Sequence, residues 1–174
     1  SHPGDIIKIW EGGLASHGAA LAILISLYIF SKKVVKKSLL WTLDRMAAPI
    51  AIGAAFIRFG NLVNHEMVGH VTTVPWGFKF LHHDCGYPYQ CDWSMIPVRH
   101  PTQLYEALCY LFVFGLLLFL FWRKELWKKK GFIFGVFLVL VFGTRFFIEF
   151  LKEGQTARDF DYFINTGQML SIPF

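Results

Sequence analysis

Charge is what this sequence has least of. Lys, Arg, Asp and Glu together supply 17% of its 174 residues, against roughly 25% in soluble globular domains. So few charges cannot keep an unfolded chain solvated, which excludes a disordered protein. The 17 basic residues outnumber the 12 acidic ones, giving a net charge of +5. They gather in short loops between apolar runs, which is the wrong distribution for a nucleic-acid-binding face. Cysteine is scarce too, with three in the whole chain, so a disulfide-dense scaffold is excluded. No internal repeat or low-complexity tract is present.

Apolar residues fill the space that charge leaves. They make up 55% of the chain, aromatics 18%, and there are 19 Phe; the mean hydropathy is +0.44. This is the composition of an integral membrane protein. A spanning helix needs about 20 mostly apolar residues, because the hydrocarbon core is roughly 30 Å thick and a helix rises about 1.5 Å per residue. Four stretches qualify, at about Leu14–Phe30, Met46–Val63, Leu104–Trp122 and Phe132–Leu151. A fifth, Gly167–Phe174, begins apolar and stops, and Ser1 stands where an initiator Met is usual. The expected fold is therefore an all-α, polytopic membrane helical bundle, with four complete spans and the start of a fifth. Residues 1–174 are expected to form a single, partial transmembrane domain of a longer protein.

The loops give the expected orientation. Lys32, Lys33, Lys36, Lys37 and Arg45 separate the first two spans, and Arg123, Lys124, Lys128, Lys129 and Lys130 separate the last two. The longer loop from Asn64 to Gln103 carries only Lys79 and Arg99. Cytoplasmic loops collect Lys and Arg, so the short loops face inward and loop 64–103 outward. No separate signal peptide is needed, since the spans direct insertion. Cys85 and Cys91 fall in the outer loop with five residues between them and are free to pair in an oxidising compartment. Cys109, inside a span, is a small apolar filler.

Chemistry is to be sought where polar residues interrupt apolar runs, because charge near the bilayer centre normally faces protein or a water-filled cavity. His17 lies just inside the first span and Arg58 interrupts the second; Glu106 lies just inside the third, while Arg145 and Glu149 share one face of the fourth. With the orientation fixed, all of them, with Asn61 and Gln103, fall toward the outer ends of their helices. That convergence predicts a cationic pocket at the outer leaflet. Each residue alone has a blander reading. Arg145–Glu149 is then an intrahelical pair, Arg58 snorkels on its long stem, and His17 packs through a hydrogen bond.

Two segments are densest. In RFGNLVNHEMVG (Arg58–Gly69) the polar positions recur every three residues, and then Glu66 breaks the helical spacing. The helix is expected to loosen near Gly60 or Asn64, folding the following turn back. His65-Glu66 with His70 is spaced i,i+5, so it is not the H-E-x-x-H zinc motif. The cluster His82, His83, Asp84, Cys85 lacks a second paired motif for a metal. In RHPTQLYEAL (Arg99–Leu108), Pro101 suits the first turn of a helix whose N-terminus faces the pocket. Two arginines and a helix N-terminus suit a phosphate, which a lipid headgroup supplies.

These stretches, with WEGGLASHG (Trp10–Gly18) and GTRFFIEF (Gly143–Phe150), resemble the bacterial prolipoprotein diacylglyceryl transferase family. The order matches, and Asp44 and Pro49 stand where the family has a similar Asp and Pro. The resemblance spans nearly the whole chain, but the family's N-terminal helices, with a functional tyrosine, and most of its last helix have no counterpart here. It implies transfer of a diacylglyceryl group from phosphatidylglycerol to the lipobox cysteine of prolipoprotein signal peptides, in the bacterial inner membrane. His17, Arg58 and Arg145 fall on the positions implied to be catalytic. Asn61, Asn64, Glu66, Gly69, His100, Gln103, Tyr105, Glu106 and Glu149 are the expected substrate-binding set. No metal or organic cofactor is required. Departures are Ile57 and His65 for glycines, Val141-Phe142 for a Tyr-Gly pair, and KEGQ (Lys152–Gln155) for an Arg-Glu-Pro-Asp type ending.

In that scheme His17 takes the thiol proton. A free thiol titrates near 8.5 and a histidine near 6.5, so the transfer is mildly uphill. Arg58 and Arg145 clamp the phosphate through planar forks. A lipid or anion transporter is the alternative, but a transporter requires a polar path to both faces. Here the inner halves, such as Ile23–Phe30 and Leu111–Phe121, are almost uninterrupted apolar runs.

Overall fold

A computed structural model describes residues 16–86 and 91–152, with side chains from residue 21 onward. The described residues fall into two compact units, the first ending at Leu43 and the second starting at Asp44. Helix predominates. In chain order the elements are α1 (Ser16–Ile29), a π-helical turn (Phe30–Val35), α2 (Leu39–Val63), β1 (Phe78–Lys79), α3 (Leu81–Cys85), β2 (Val98–Arg99), α4 (Thr102–Trp122) and α5 (Phe132–Glu149). Single 3₁₀ turns lie at Trp93–Met95 and Leu126–Lys128.

In the first unit, α1 passes into the π turn, which ends at Lys36 in the left-handed conformation (φ 55°) with its N–H on the Ser31 carbonyl. Ser31 is fully buried, and its hydroxyl donates to that of Thr42 at 2.7 Å. The Ser38 hydroxyl accepts the Trp41 N–H at 3.3 Å, tying down the start of α2.

Among the described residues, three helices are long and apolar enough to cross a membrane, namely α2 (25 residues), α4 (21) and α5 (18). At about 1.5 Å per residue the shortest covers roughly 27 Å, close to the hydrocarbon thickness. They match the second, third and fourth expected spans. Of the first expected span, Ser16–Ile29 is helical, and Gly167–Phe174 lies outside the described residues.

The core of the second unit sits where α2, α4 and α5 meet. Ala47 and Ala51 of α2 face Val113 and Leu117 of α4 and Ile133 and Phe137 of α5. Each set is spaced by four residues, so it forms one helical stripe. Pro49 lies between the two alanines and removes one backbone hydrogen bond from α2 without ending it. Large exposed apolar side chains, such as Phe56, Ile57, Phe112 and Phe147, cover the outsides of the helices. That is the surface of a protein solvated by lipid.

Asp44 holds α5 to α2. It is buried, and its carboxylate accepts the N–H groups of Gly131 at 2.7 Å and Phe134 at 2.9 Å. It thus caps the N-terminus of α5 in the way a neighbouring Asp usually would.

Candidate functional site

The site begins with the buried stripe of α4. Gln103, Glu106, Tyr110, Val113 and Leu117 recur at three- and four-residue steps and all are buried. The lower two are apolar and belong to the core. The upper three are polar and must find partners, because an unpaired buried polar group costs on the order of 1–3 kcal/mol.

Glu106 is fully buried between two cations. Its Oε2 lies 2.8 Å from Arg58 Nε of α2. This contact is a charge pair without hydrogen-bond alignment. Its Oε1 accepts from Lys152 Nζ at 3.0 Å. Lys152, itself buried, also donates to Glu149 Oε2 at 3.1 Å. The Tyr110 hydroxyl is within hydrogen-bonding reach of Arg58 and feels the charge of Arg145. Arg58, Glu106, Tyr110, Arg145, Glu149 and Lys152 are therefore one cluster drawn from α2, α4, α5 and the residues just after α5. Besides Glu106 Oε2, two buried atoms of the region have no hydrogen-bond partner among the described residues, Arg145 Nε and Gln103 Oε1.

The chain after Arg58 folds as the sequence predicts. The helix ends at Val63, and the turn closes through His65 N–H to Leu62 O at 3.2 Å and Glu66 N–H to Asn61 O at 2.9 Å. This brings Glu66 back, so that Asn61 Nδ2 donates to Glu66 Oε2 at 3.3 Å. His65 and Met67 flank Glu66 at φ 59° each, a conformation that favours glycine. The glycine expected at position 65 from the family resemblance fits that backbone; this chain places an imidazole there instead. The imidazole is used: its Nδ1 accepts the His82 N–H at 3.1 Å, and its ring meets Phe80 edge-on at 5.5 Å.

Gly69 is pinned between two strands of backbone. Its N–H donates to His100 O at 3.1 Å, and a Cβ at this position would lie 2.7 Å from that oxygen and 2.8 Å from Leu151 O. No side chain fits. Next to it, His70 N–H reaches Leu151 O at 2.9 Å, and Gly69 bridges antiparallel to Lys152. The signature segment thus fixes Lys152 in place, beyond the end of α5.

The start of α4 is locked to the same segment. Thr102 Oγ1 donates to Met67 O at 2.9 Å, and Gln103 Nε2 donates to Glu66 O. Pro101 stands at the cap, one residue before α4, and not within its first turn. The Thr102 N–H is taken by His100 O at 2.9 Å, so this amide does not face the pocket free. His100 Nδ1 and the Tyr105 hydroxyl are 3.2 Å apart, and Trp76 Nε1 donates to that hydroxyl at 2.8 Å.

Farther out, Arg99 grips Asp84 with a fork, Nη2 at 2.7 Å and Nε at 3.0 Å from the same oxygen, and reaches Gly69 O with Nη1 at 3.4 Å. Burial pushes the Asp84 carboxyl up, but hydrogen bonds from Arg99 and His83, and their charges, more than offset this and hold it below its ordinary value. Burial, and then the neighbouring His82, push the His65 imidazole below its ordinary value. Cys85 and Cys91 are disulfide-bonded, with Cα atoms 5.9 Å apart. With Cys85 bonded and Asp84 engaged by Arg99, the loop cluster His82–Cys85 is committed to structure.

Most of the expected site residues are therefore brought together. Arg58, Glu106 and Glu149 share the buried cluster with Arg145 beside it, while Asn61 at the end of α2, Glu66, Gly69 and His100 in the loop, and Gln103 and Tyr105 at the start of α4 adjoin it. Asn64 is exposed at the turn. His17 lies in the first turn of α1, and its side chain is outside the described ones. Sequence reasoning missed Lys152 and Tyr110. A signal existed for Tyr110, which follows Glu106 by four residues and so shares its face of α4; Lys152 lies beyond the end of α5, where helical spacing gives none.

The family model for prolipoprotein diacylglyceryl transferase matches residues 1–174. Relatives named phosphatidylglycerol--prolipoprotein diacylglyceryl transferase include those of Porphyromonas gingivalis, 45% identical over 100% of this chain and 62% of that protein, and Tolumonas auensis, 45% identical over 100% of this chain and 63% of that protein. The relative of Chlamydia pneumoniae is 40% identical over 99% of this chain and 59% of its own length. The chain thus spans about three fifths of the length of the curated relatives it matches.

Proposed function

The chain belongs to the prolipoprotein diacylglyceryl transferase family, and from that premise we propose that its protein transfers a diacylglyceryl group from phosphatidylglycerol to the cysteine thiol of a prolipoprotein lipobox. The observation that carries the reading is the buried cluster of Arg58, Arg145 and Lys152 against Glu106 and Glu149. Among the described residues, Arg58 and Lys152 pair with Glu106 and Glu149, and Arg145 close by brings the cluster to three cations and two carboxylates; that excess of one positive charge suits a phosphodiester monoanion.

In this reading His17, placed by its family motif, takes the thiol proton. The thiolate sulfur bonds to the terminal glyceryl carbon as that carbon's bond to phosphate oxygen breaks. The electron pair stays on the oxygen, so glycerol phosphate leaves with a second negative charge, and the proton held by His17 is returned to solvent or product. Arg58 and Arg145 stabilise the charge that develops on the leaving group. Asn61, Asn64, Glu66, Gln103 and Glu149 orient the arginines and the headgroup, and His100 with Tyr105 secures the loop over them. The protein sits in the bacterial inner membrane with four complete spans in this chain, and the pocket opens to the outer leaflet.

The test uses the intact protein in micelles containing phosphatidylglycerol, with a lipobox peptide and its Cys→Ser control. Glycerol phosphate release that needs the peptide cysteine is the expected result. No release from folded protein would move the reading to lipid binding or transport.

A further inference from the structure

We propose that Lys152 is a positioning residue for this transfer: its ammonium cancels the charge of Glu106, leaving the cluster one positive charge with which to meet a lipid phosphate. The inference rests on the transferase reading above and assigns a role to a residue outside the expected site.

The geometry carries it. Glu106 has no exposure to solvent, and each of its oxygens meets one cation, Lys152 Nζ at 3.0 Å and Arg58 Nε at 2.8 Å. A buried carboxylate attracts whatever cation is near and repels an approaching anion. Without Lys152, Arg58 alone would answer Glu106, the cluster would be neutral, and a phosphodiester would gain nothing by entering. With Lys152 present the surplus matches the single charge of the bound headgroup. Arg58 and Arg145 then answer the second charge, which appears only as the carbon–oxygen bond breaks.

Lys152 is also held more firmly than a helix-end lysine ordinarily is. Helix α5 stops at Glu149, yet Lys152 is bridged to Gly69, and the carbonyl before it accepts the His70 N–H at 2.9 Å. The signature loop thereby delivers the ammonium to a point between two carboxylates. A compact ammonium with three donors suits that position.

The experiment measures glycerol phosphate release by the intact protein against the mole fraction of phosphatidylglycerol, with folding followed by thermal melting. Lys152→Met is expected to raise KM for the lipid by about tenfold or more, with a smaller change in kcat per folded molecule. Lys152→Arg keeps the charge and is expected to stay within about threefold of the parent. Lys152→Met with Glu106→Gln restores the surplus and is expected to recover most of the lost lipid affinity. This pair is also the test should Lys152→Met alone fail to fold. A KM for Lys152→Met within about twofold of the parent, or a folded double variant as impaired in KM as the single one, overturns the assignment. A parent protein whose release does not depend on the peptide cysteine would overturn the transferase reading itself, and this role with it.

Discussion

The carboxylate of Asp44 accepts the backbone N–H of Phe134 at 2.9 Å, across 90 residues of chain. One side chain on α2 thereby supplies the cap that α5 lacks locally, since Gly131 at its N-terminus has no side chain to give. The bond fixes where α5 begins. Because α5 ends in the Arg145–Glu149 turn, it also fixes the height of those two residues against α2 and α4.

Replacing Asp44 by Ala leaves two N–H groups without an acceptor and removes a negative charge from a helix N-terminus. A loss of about 1–2 kcal/mol is expected. Asp44→Asn keeps an acceptor oxygen and is expected to lose less. Equilibrium unfolding in a mild detergent ranks the two variants; equal losses would argue that the charge, and not the hydrogen bonds, carries the cap.

Gly69→Ala tests the close approach of backbones. The new Cβ would meet two carbonyl oxygens under 3 Å away, on His100 and Leu151. Neither belongs to a flexible side chain, so the two strands must separate, at a cost of about 1–3 kcal/mol. Separation also withdraws Lys152 from Glu106. The expected outcome is a lower melting temperature together with loss of transfer activity, and a normal melt with normal activity would contradict the packing described.

Acid should loosen loop 64–103 in two stages. Both His65 and Asp84 have folded pKa values below their ordinary ones, so each favours the deprotonated form and contributes stability above its unfolded pKa. That of His65 is present above about 6.5 and fades as pH falls through the lower folded value. The chemical reason is the Nδ1 lone pair, which accepts the His82 N–H and is lost on protonation. Asp84 contributes above about 3.9, and its share is lost at still lower pH. Hydrogen exchange at the His82 amide, corrected for intrinsic rates, should speed up below about pH 6.5. In His65→Asn, which tolerates the left-handed backbone, that dependence should vanish.

The disulfide is checked directly. Alkylation of the denatured, unreduced protein should label Cys109 and leave Cys85 and Cys91 untouched within this chain. Closing so short a loop is worth about 2 kcal/mol in the chain-entropy description. Reduction should therefore raise exchange in α3 before it affects α4 or α5.

How much of this was legible in the sequence depends on the distance over which each signal acts. The spans α2, α4 and α5 came from composition and length alone, because lipid leaves a chain few alternatives to a helix. The turn at Asn64 was visible because Glu66 breaks a three-residue polar rhythm. Gly69 was placed in the site through the family motif, but the reason for it was hidden. The two carbonyls that exclude a side chain belong to residues 31 and 82 positions away, and only the folded chain brings them in. Lys152 was passed over for a related reason. It follows the end of its helix, and its partner Glu106 lies on another, so no periodicity connects them. The pairing of Cys85 with Cys91 was open because spacing permits a bond without requiring one.

Arg58 and Arg145 look equivalent in the sequence, as two arginines interrupting two apolar helices, but the structure separates them. Arg58 is built into the protein, pressed against fully buried Glu106 and reaching Tyr110. Arg145 Nε is buried with no hydrogen-bond partner among the described residues, so less of the fold depends on it. Arg58→Gln should therefore lower both stability and turnover, because Glu106 loses one of its two cations; breaking one side of a buried pair costs about 3–5 kcal/mol, less whatever Lys152 retains. Arg145→Gln should leave the melting temperature within a few degrees of the parent and reduce kcat by about two to three orders of magnitude, the range seen when one oxyanion donor is removed. Paired melting curves and glycerol phosphate assays separate the cases. A large stability loss in Arg145→Gln, or turnover preserved in it, would mean that Arg145 is a structural member of the cluster and that the phosphate is held elsewhere.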